Sequence, residues 1–439
     1  MAQLLHHMMS IMEKGKHMRR RTLTAWTLAG FGMVAVLAGC SSEGDPNQLG
    51  SETTLDPGDP FTPGPGGVPG GGSGPGAAAP EEGPPVQLEQ RKRDYGESLR
   101  AASLKLVGEV PTLAEINSIA SAPNEAEQKK VYEAHVDRML GDPRFTLKMI
   151  DFWRDTLRTA QVGNIGQNQP NKDFAANFAA LVTVEGRPYT DLFTATAGTC
   201  PTFDAGMGKL NAADCAPNGT AQTAGLLTDR GLMAQYFAPM AFRRVRFIQE
   251  TFVCAKFPTE FSDKPVSMGL TVYTNTWPFD SITGGTGNAD IRVNFKDTSA
   301  VNCANCHGTI NHQAPLFANF DGNGAYMADI QVTVPVAGNP KARLKDWLPD
   351  GQQNLGWRFG KPVTDIAGFA AEMAKDPDVA ACAVTRAWNY AFSRGDVVGD
   401  LATVPAVVTK NEVAAFKAGN FKFKDTLGRV FKSDDFTMW

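Results

Sequence analysis

Apolar residues recur at helical spacing along most of the chain after residue 90. Residues 125–140 place Val131 and Leu140 near one face with charged residues opposite, and 145–157 is apolar over a wide face. Spacings of three and four residues predict amphipathic helices. Further helical patterns cover 173–182, 231–254, 364–376 and 379–395, and 413–436 is typical of a helical hairpin. The pattern predicts a mainly α fold with few short strands, one of them near 329–336.

Two helix starts carry specific end signals. Thr112 stands three residues before Glu115, the spacing of a capping box in which each side chain bonds the other residue's backbone. Asp142 precedes Pro143, an N-cap residue followed by a proline suited to the first helical turn. These signals predict helices that begin at about residues 113 and 143.

The N-terminal segment is typical of an export signal. Arg19, Arg20 and Arg21 precede an apolar run that ends in Leu37-Ala38-Gly39-Cys40, which is similar to a bacterial lipobox. We predict a signal peptide over 1–39, with Met18 as the more natural start, and lipidation of Cys40. Ser41 in place of an acidic residue favours an outer-membrane lipoprotein facing the periplasm or the cell surface. The alternative is an uncleaved signal anchor.

Residues 41–86 are dense in Gly, Pro and Ser, a composition that cannot bury apolar surface. Residues 40–86 therefore predict a lipid-anchored tether, and about 350 residues remain for folded structure with substantial cores. The formal net charge of −4 does not indicate nucleic-acid binding or an electrostatically held membrane surface. We expect contact with the membrane through the lipid anchor only.

Four cysteines suit disulfides in an exported protein, where disulfides persist. Cys200 and Cys215 flank a Gly-, Asn- and Thr-rich loop that suits a local bridge, and Cys254 and Cys382 would then pair at long range. The connectivity stays open, because four cysteines can pair in more than one way.

The most specific motif is 303-CANCH-307. Cys303, Cys306 and His307 have the spacing of covalent haem attachment, with two thiols one helical turn apart and a histidine placed to bind iron. A zinc site would need a second pair of ligands, which the sequence lacks, and the flanks do not suit a thioredoxin-like redox motif. A plain disulfide between the two cysteines is the remaining alternative. We predict one covalent haem c.

Several stretches resemble the exported planctomycete-type cytochrome c proteins, which are built of adjacent domains of unknown function. The stretches that carry the resemblance are 99-LRAASLKLVGEVPTLAEI-116, 137-DRMLGDPRF-145, 242-FRRVRFIQETFVC-254, 303-CANCHGTINHQAPLFANFDGNGAY-326, 382-CAVTRAWNYAFSRG-395 and 426-TLGRVFKSDDF-436. The resemblance implies a mainly α, single-haem exported protein and supplies no substrate. We therefore assign 87–230 to a helical N-terminal domain and 231–439 to a cytochrome c-like haem domain that ends in the helical hairpin.

His307 is the expected proximal iron ligand through Nε2, with its other ring nitrogen bonded to a backbone carbonyl. Met373 and Met327 are the candidates for the sixth position, since thioether ligands usually follow the attachment motif. His312 lies too close to His307 in sequence to reach the opposite haem face and is a candidate pocket group. Arg244 is a candidate for a haem propionate contact, and its alternative is a solvated basic helix face.

The expected function is a tethered mono-haem cytochrome that carries single electrons to or from a redox partner protein in the envelope. A haem peroxidase or oxidase with an open sixth position is the enzymatic alternative. A haem-stapled binding or structural module is the third.

Overall fold

The computed structural model describes residues 90–159, 170–238, 240–257, 301–333, 341–342, 355–358, 361–395 and 403–439; for 301–305, 332–333 and 341–342 only the backbone is described. The expected signal peptide, Cys40 and the whole predicted tether (40–86) lie outside these residues.

The helices follow one another along the chain with short strands between them. They are α1 (Tyr95–Leu106), α2 (Leu113–Ala120), α3 (Glu125–Leu140), α4 (Pro143–Leu157), α5 (Asp173–Val184), α6 (Asp191–Thr194), α7 (Arg230–Gln235), α8 (Phe242–Ile248), α9 (Val301–Phe317), α10 (Ile366–Ala374), α11 (Pro377–Ala391), α12 (Ala406–Ala418), α13 (Phe423–Phe431) and α14 (Asp434–Thr437). A 3-10 turn (Gly225–Thr228) precedes α7, and a π-helical turn (Gln249–Val253) extends α8.

The strands are short and antiparallel. They are β1 (Thr202–Asp204), β2 (Lys209–Asn211), β3 (Val332–Thr333), β4 (Lys341–Ala342), β5 (Gly356–Arg358) and β6 (Lys361–Pro362). They pair as β1–β2, β3–β4 and β5–β6. The prediction of a mainly α fold with few strands is confirmed.

Both predicted helix starts are confirmed in atomic detail. Thr112 Oγ1 accepts from the Glu115 backbone N–H at 3.3 Å, and the Thr112 N–H donates to Glu115 Oε2 at 2.7 Å. Asp142 Oδ1 accepts from the Arg144 N–H at 2.9 Å, with Pro143 in the first turn. Each pair satisfies backbone N–H groups that have no partner within the helix.

The helical pattern predicted over 231–254 is divided in the structure. Helix α7 ends at Gln235 and α8 begins at Phe242, after Ala241 in a left-handed conformation with φ of 56°. The intervening sequence contains Pro239, which has no N–H to donate to a helix. After α8 the chain continues into the π-helical turn and leaves it at Cys254.

Residues 82–439 form one compact unit, and its hydrophobic core continues across the domain boundary predicted at 230/231. The C-terminal hairpin supplies Phe423, which packs on Phe152 and Trp153 of α4 at ring-centroid distances of 5.7 and 5.8 Å. Lys92 and Trp439 exchange backbone hydrogen bonds of 2.7 and 2.8 Å. The last helices therefore pack on the first ones, rather than only within the predicted haem domain.

No helix in the described ranges combines the length and the apolar character that a membrane crossing requires.

Candidate functional site

The Cys303–His307 motif lies near the start of α9 (Val301–Phe317). Residues three and four apart share one helix face, so the helical backbone places Cys306 and His307 on the same face as Cys303. Cys306 and His307 are half-buried, whereas each residue from Gly308 to Phe317 is buried. The motif therefore lies where α9 emerges from the core.

The imidazole of His307 is oriented by a neighbour one turn further along α9. Its Nδ1 donates to Oδ1 of Asn311 at 3.1 Å, and the ring of Phe242 packs edge-on against it at 5.2 Å between centroids. Burial lowers the pKa of His307, and the bond to Asn311 opposes this only in part, so the neutral ring is favoured. The expected partner of Nδ1 was a backbone carbonyl; the structure has a side-chain amide instead.

These features fit the requirements of a c-type haem. Covalent attachment needs two cysteines one helical turn apart, and iron ligation needs a neutral imidazole whose second nitrogen is hydrogen-bonded. The helical backbone of α9 supplies the spacing of the two cysteines, and the Asn311 contact supplies the hydrogen bond to the second imidazole nitrogen. Cys303, Cys306 and His307 are the residues that would hold the group.

The rest of α9 is held in the core by polar contacts. Gln313 accepts at Oε1 from Nε2 of Gln249 at 3.0 Å and donates from Nε2 to the Trp357 carbonyl at 2.8 Å. The Trp357 indole N–H donates to Oδ2 of Asp376, the N-cap residue of α11, at 2.6 Å. His312 is 3% exposed on the same helix. Buried polar groups that are fully bonded hold one packing arrangement, so these contacts set the position of the motif.

Arg244 has a role that the sequence analysis did not predict. The side chain is 0% exposed, and Nε and Nη2 both donate to the Met233 carbonyl, at 3.0 and 2.6 Å. Nη1 donates to the carbonyls of Phe317 and Phe320 at 2.8 and 2.9 Å, and Nη2 also donates to that of Asp321 at 3.0 Å. Burial lowers the pKa of Arg244 to about 10.

Both interpretations of Arg244 are therefore corrected. A guanidinium has five N–H donors, and the five bonds to carbonyls leave no donor for a haem propionate. A solvated helix face is equally wrong, because the side chain is buried between the rings of Phe237 and Phe320. Arg244 instead ties the end of α9 to α7.

The turn after α9 is closed by its own aspartate. Oδ1 of Asp321 accepts from the N–H groups of Asn323 and Ala325, each at 2.8 Å. Gly324 has a φ of 71°, and a Cβ there would lie 2.0 Å from the Arg230 carbonyl, so only glycine fits. Among the residues the structure describes, no cluster of His, Cys, Asp or Glu could hold a metal ion. The residues after α9 therefore form a turn closed by Asp321.

The two methionines proposed for the sixth iron position have different environments. Met373 is fully buried on α10, whose Phe369 packs edge-on against Phe317 at the end of α9, at 5.4 Å. Met327 is 53% exposed, beyond the Asp321 turn. Ligation by either residue stays a prediction.

The structure settles the disulfide connectivity that the sequence left open, with one local and one long-range bridge. Cys200 bonds Cys215 across 15 positions, and Cys254 bonds Cys382 across 128. The second disulfide joins the end of the π-helical turn to α11. Because Cys303, Cys306 and His307 lie between Cys254 and Cys382, this disulfide closes the loop that carries the candidate site.

The sequence analysis missed Asn311 and Gln313 as site residues. The signal for Asn311 was its four-residue spacing from His307, which puts both side chains on one helix face. Gln313 gave no comparable signal, because its partners Gln249 and Trp357 are distant in sequence.

Asp229 is a buried carboxyl that caps α7. Its Oδ1 accepts from the Leu232 N–H at 2.7 Å, and burial raises its pKa to about 7. An aspartate in the unfolded chain titrates near 4, so between about pH 4 and 7 the folded state holds a proton that the unfolded state has released. Stability should therefore fall as the pH rises through this range, by at most about 1.4 kcal/mol per pH unit.

Replacing Asp229 by asparagine should remove this dependence, since asparagine caps helices as well as aspartate does. Urea unfolding of Asp229→Asn and of the unaltered protein between pH 4.5 and 8 measures the difference. The free energy of unfolding of Asp229→Asn, relative to that of the unaltered protein, should increase as the pH rises. A difference that stays constant across the range would contradict the assignment.

The N-terminal helices are similar to a known family. Residues 87–195 match the family model described as PSCyt2, a protein of unknown function (DUF1549), which is a planctomycete cytochrome-associated domain. The match spans α1 to α6 and ends before the Cys303–His307 motif. No curated protein and no solved structure matches this chain. Over residues 87–195, the chain is therefore similar to a cytochrome-associated domain whose function is unassigned.

Proposed function

We propose that this protein is a mono-haem c-type cytochrome that carries single electrons in the cell envelope. The observation that carries the proposal is the Cys-x-x-Cys-His spacing on one face of α9, together with the Asn311 contact that orients His307. Similarity of 87–195 to a cytochrome-associated domain supports it.

The residues have distinct tasks in this proposal. Cys303 and Cys306 would hold the haem through thioether bonds to its vinyl groups, and Nε2 of His307 would be the protein's ligand to the iron. Asn311 holds the His307 ring in one tautomer and orientation. Bound haem supplies a one-electron couple. The contacts of Arg244 and Gln313 keep α9 in place, so that little of the protein needs to rearrange when charge is gained or lost.

The proposed location follows from the N-terminal sequence. The lipobox-like Leu37-Ala38-Gly39-Cys40 and the Gly/Pro-rich segment after it indicate a lipid-anchored tether. Haem c is attached outside the cytoplasm, which agrees with export. We propose an outer-membrane lipoprotein that meets the membrane through its lipid and exchanges electrons with a redox protein of the envelope.

The absorption spectrum of the protein, produced in cells that mature c-type haem, tests the proposal. We expect sharp reduced bands that carbon monoxide does not move. The Cys303→Ser/Cys306→Ser variant should lose covalent haem, while a Cys200→Ala/Cys215→Ala control with the same number of cysteines removed should keep it. If the unaltered protein carries no haem, the proposal fails, and a disulfide between Cys303 and Cys306 becomes the favoured interpretation.

The same spectrum separates the electron carrier from the enzyme. A rapid shift with carbon monoxide would show an open sixth position and favour a peroxidase or oxidase. If the position is filled, Met373→Leu and Met327→Leu identify the ligand. Leucine is preferred to alanine, since truncating a buried methionine such as Met373 to alanine costs about 2–5 kcal/mol of stability.

A further inference from the structure

A cavity of about 480 Å³ lies between α1, α4 and the C-terminal end of α11, apart from the candidate haem site. This volume is within the range of small-molecule sites. Its charged lining consists of Lys105 from α1, of Lys148, Asp151 and Asp155 from α4, and of Arg394 just after α11. The cavity therefore brings together three cations and two anions.

Like charges are neighbours in this lining. Burial and the neighbouring Lys148 lower the pKa of Lys105, and burial and the neighbouring Asp151 raise the pKa of Asp155. Across the described ranges, neither lysine nor Asp155 forms an ion pair, and Asp151 has only Arg154, 3.7 Å away. Like charges side by side oppose each other, so a group of opposite charge would be favoured beside each pair.

A buried hydroxyl lines the same cavity without a partner. Thr156 is 1% exposed, and its Oγ1 makes no hydrogen bond. A buried polar group that is left unbonded costs stability, and such groups are uncommon in folded proteins. A ligand that hydrogen-bonds Oγ1 would remove this cost.

Tyr390 holds Lys105 in place beside the cavity. Its hydroxyl donates to the Lys105 carbonyl, and its ring lies 5.3 Å from Lys105 Nζ. The ring also provides apolar surface for the body of a small ligand. The cavity thus has cations, anions and an apolar wall in its lining.

We propose that this cavity binds a small zwitterion. Its acid group, a carboxylate or a phosphate, lies beside Lys105 and Lys148, and its ammonium group lies beside Asp151 and Asp155. The hydroxyl of Thr156 bonds one of the two polar ends. This site does not involve haem, so its test is independent of the proposed electron transfer.

Titration calorimetry of the full-length protein at low salt tests the proposal with defined probes. 4-Aminobutyrate represents carboxylate zwitterions and 2-aminoethyl phosphate represents phosphate zwitterions; butyrate, butylamine and ethyl phosphate each lack one of the two charges. We expect saturable binding of at least one zwitterion, at least about tenfold tighter than its singly charged analogue. The zwitterion that binds more tightly shows whether the site prefers a carboxylate or a phosphate. Absence of saturable binding by both zwitterions overturns the proposal, as does equal binding of the analogues.

Charge variants locate the binding site. Lys105→Met, Lys148→Met and Asp155→Asn should each weaken binding by about tenfold, the effect of losing a charge-assisted hydrogen bond. The exposed residues Lys410 and Asp435 lie outside the cavity lining, so Lys410→Met and Asp435→Asn should leave the affinity unchanged. Equal effects of the cavity and control variants overturn the proposal.

Thr156→Val separates binding from folding. Valine has nearly the same shape and removes a hydroxyl that has no partner within the fold, so the melting temperature should stay the same or rise. Affinity for the zwitterion should fall. Unchanged affinity in a folded variant would show that the hydroxyl does not face the ligand and would overturn its assigned contact.

Discussion

Arg244→Met is expected to lower the free energy of unfolding by about 3–5 kcal/mol, the cost of breaking a buried, fully bonded charged network. Methionine would fill much of the space but would leave the carbonyls of Met233, Phe317, Phe320 and Asp321 without the bonds that Arg244 donates. Urea unfolding followed by far-UV circular dichroism measures the change.

Arg243 provides a matched control at the preceding position of α8. Its side chain is exposed and lies over the ring of Tyr236, 5.9 Å from the centroid. Arg243→Met should therefore change stability by no more than about 0.5 kcal/mol. Arg244→Lys should fall between the two, because an ammonium has three donors and not the planar fork of a guanidinium. Similar stabilities of the Arg243 and Arg244 methionine variants would contradict the assigned role.

Removal of the Cys254–Cys382 disulfide is expected to cost about 5 kcal/mol, and removal of Cys200–Cys215 about 3 kcal/mol. A crosslink restricts the unfolded chain more when it closes a longer loop, and the separations are 128 and 15 positions. The double variants Cys254→Ala/Cys382→Ala and Cys200→Ala/Cys215→Ala lose the same atoms. Their free energies of unfolding should be compared under oxidising conditions.

The difference between the two double variants, rather than either absolute value, tests the loop-length argument. It should vanish when the comparison is repeated with both double variants and the unaltered protein fully reduced, since no protein then carries a crosslink and only the effects of the cysteine side chains remain. If the short-range disulfide proves the more stabilising one, contacts in the folded state would outweigh the effect of loop length.

Helix α9 shows where periodicity alone was insufficient. The sequence analysis assigned no helix over 301–317, and the structure has one there. Thr309, Asn311, His312 and Gln313 are buried together with the apolar residues of the helix, so α9 has no polar stripe to mark its face. Pro315, which usually ends a helix, is accommodated in its last turn.

Helix ends were predicted well, because their determinants are local. Thr112 with Glu115 and Asp142 with Pro143 act within a single turn, so each interaction involves only three or four consecutive residues. The break between α7 and α8 was missed although Pro239 marked it, because the apolar pattern on both sides was read as continuous.

The sequence by itself determined the mainly α character, the helix caps, the short list of cysteines available for disulfides and the attachment-type spacing of Cys303, Cys306 and His307. Each of these depends on residues that lie close together along the chain or on composition. Only the tertiary structure decided which cysteines pair, that Asn311 orients His307, and that Arg244 bonds carbonyls of α7 and of the turn after α9. Those outcomes depend on the burial of groups that are distant in sequence, because removal from water makes each buried donor and acceptor require a partner.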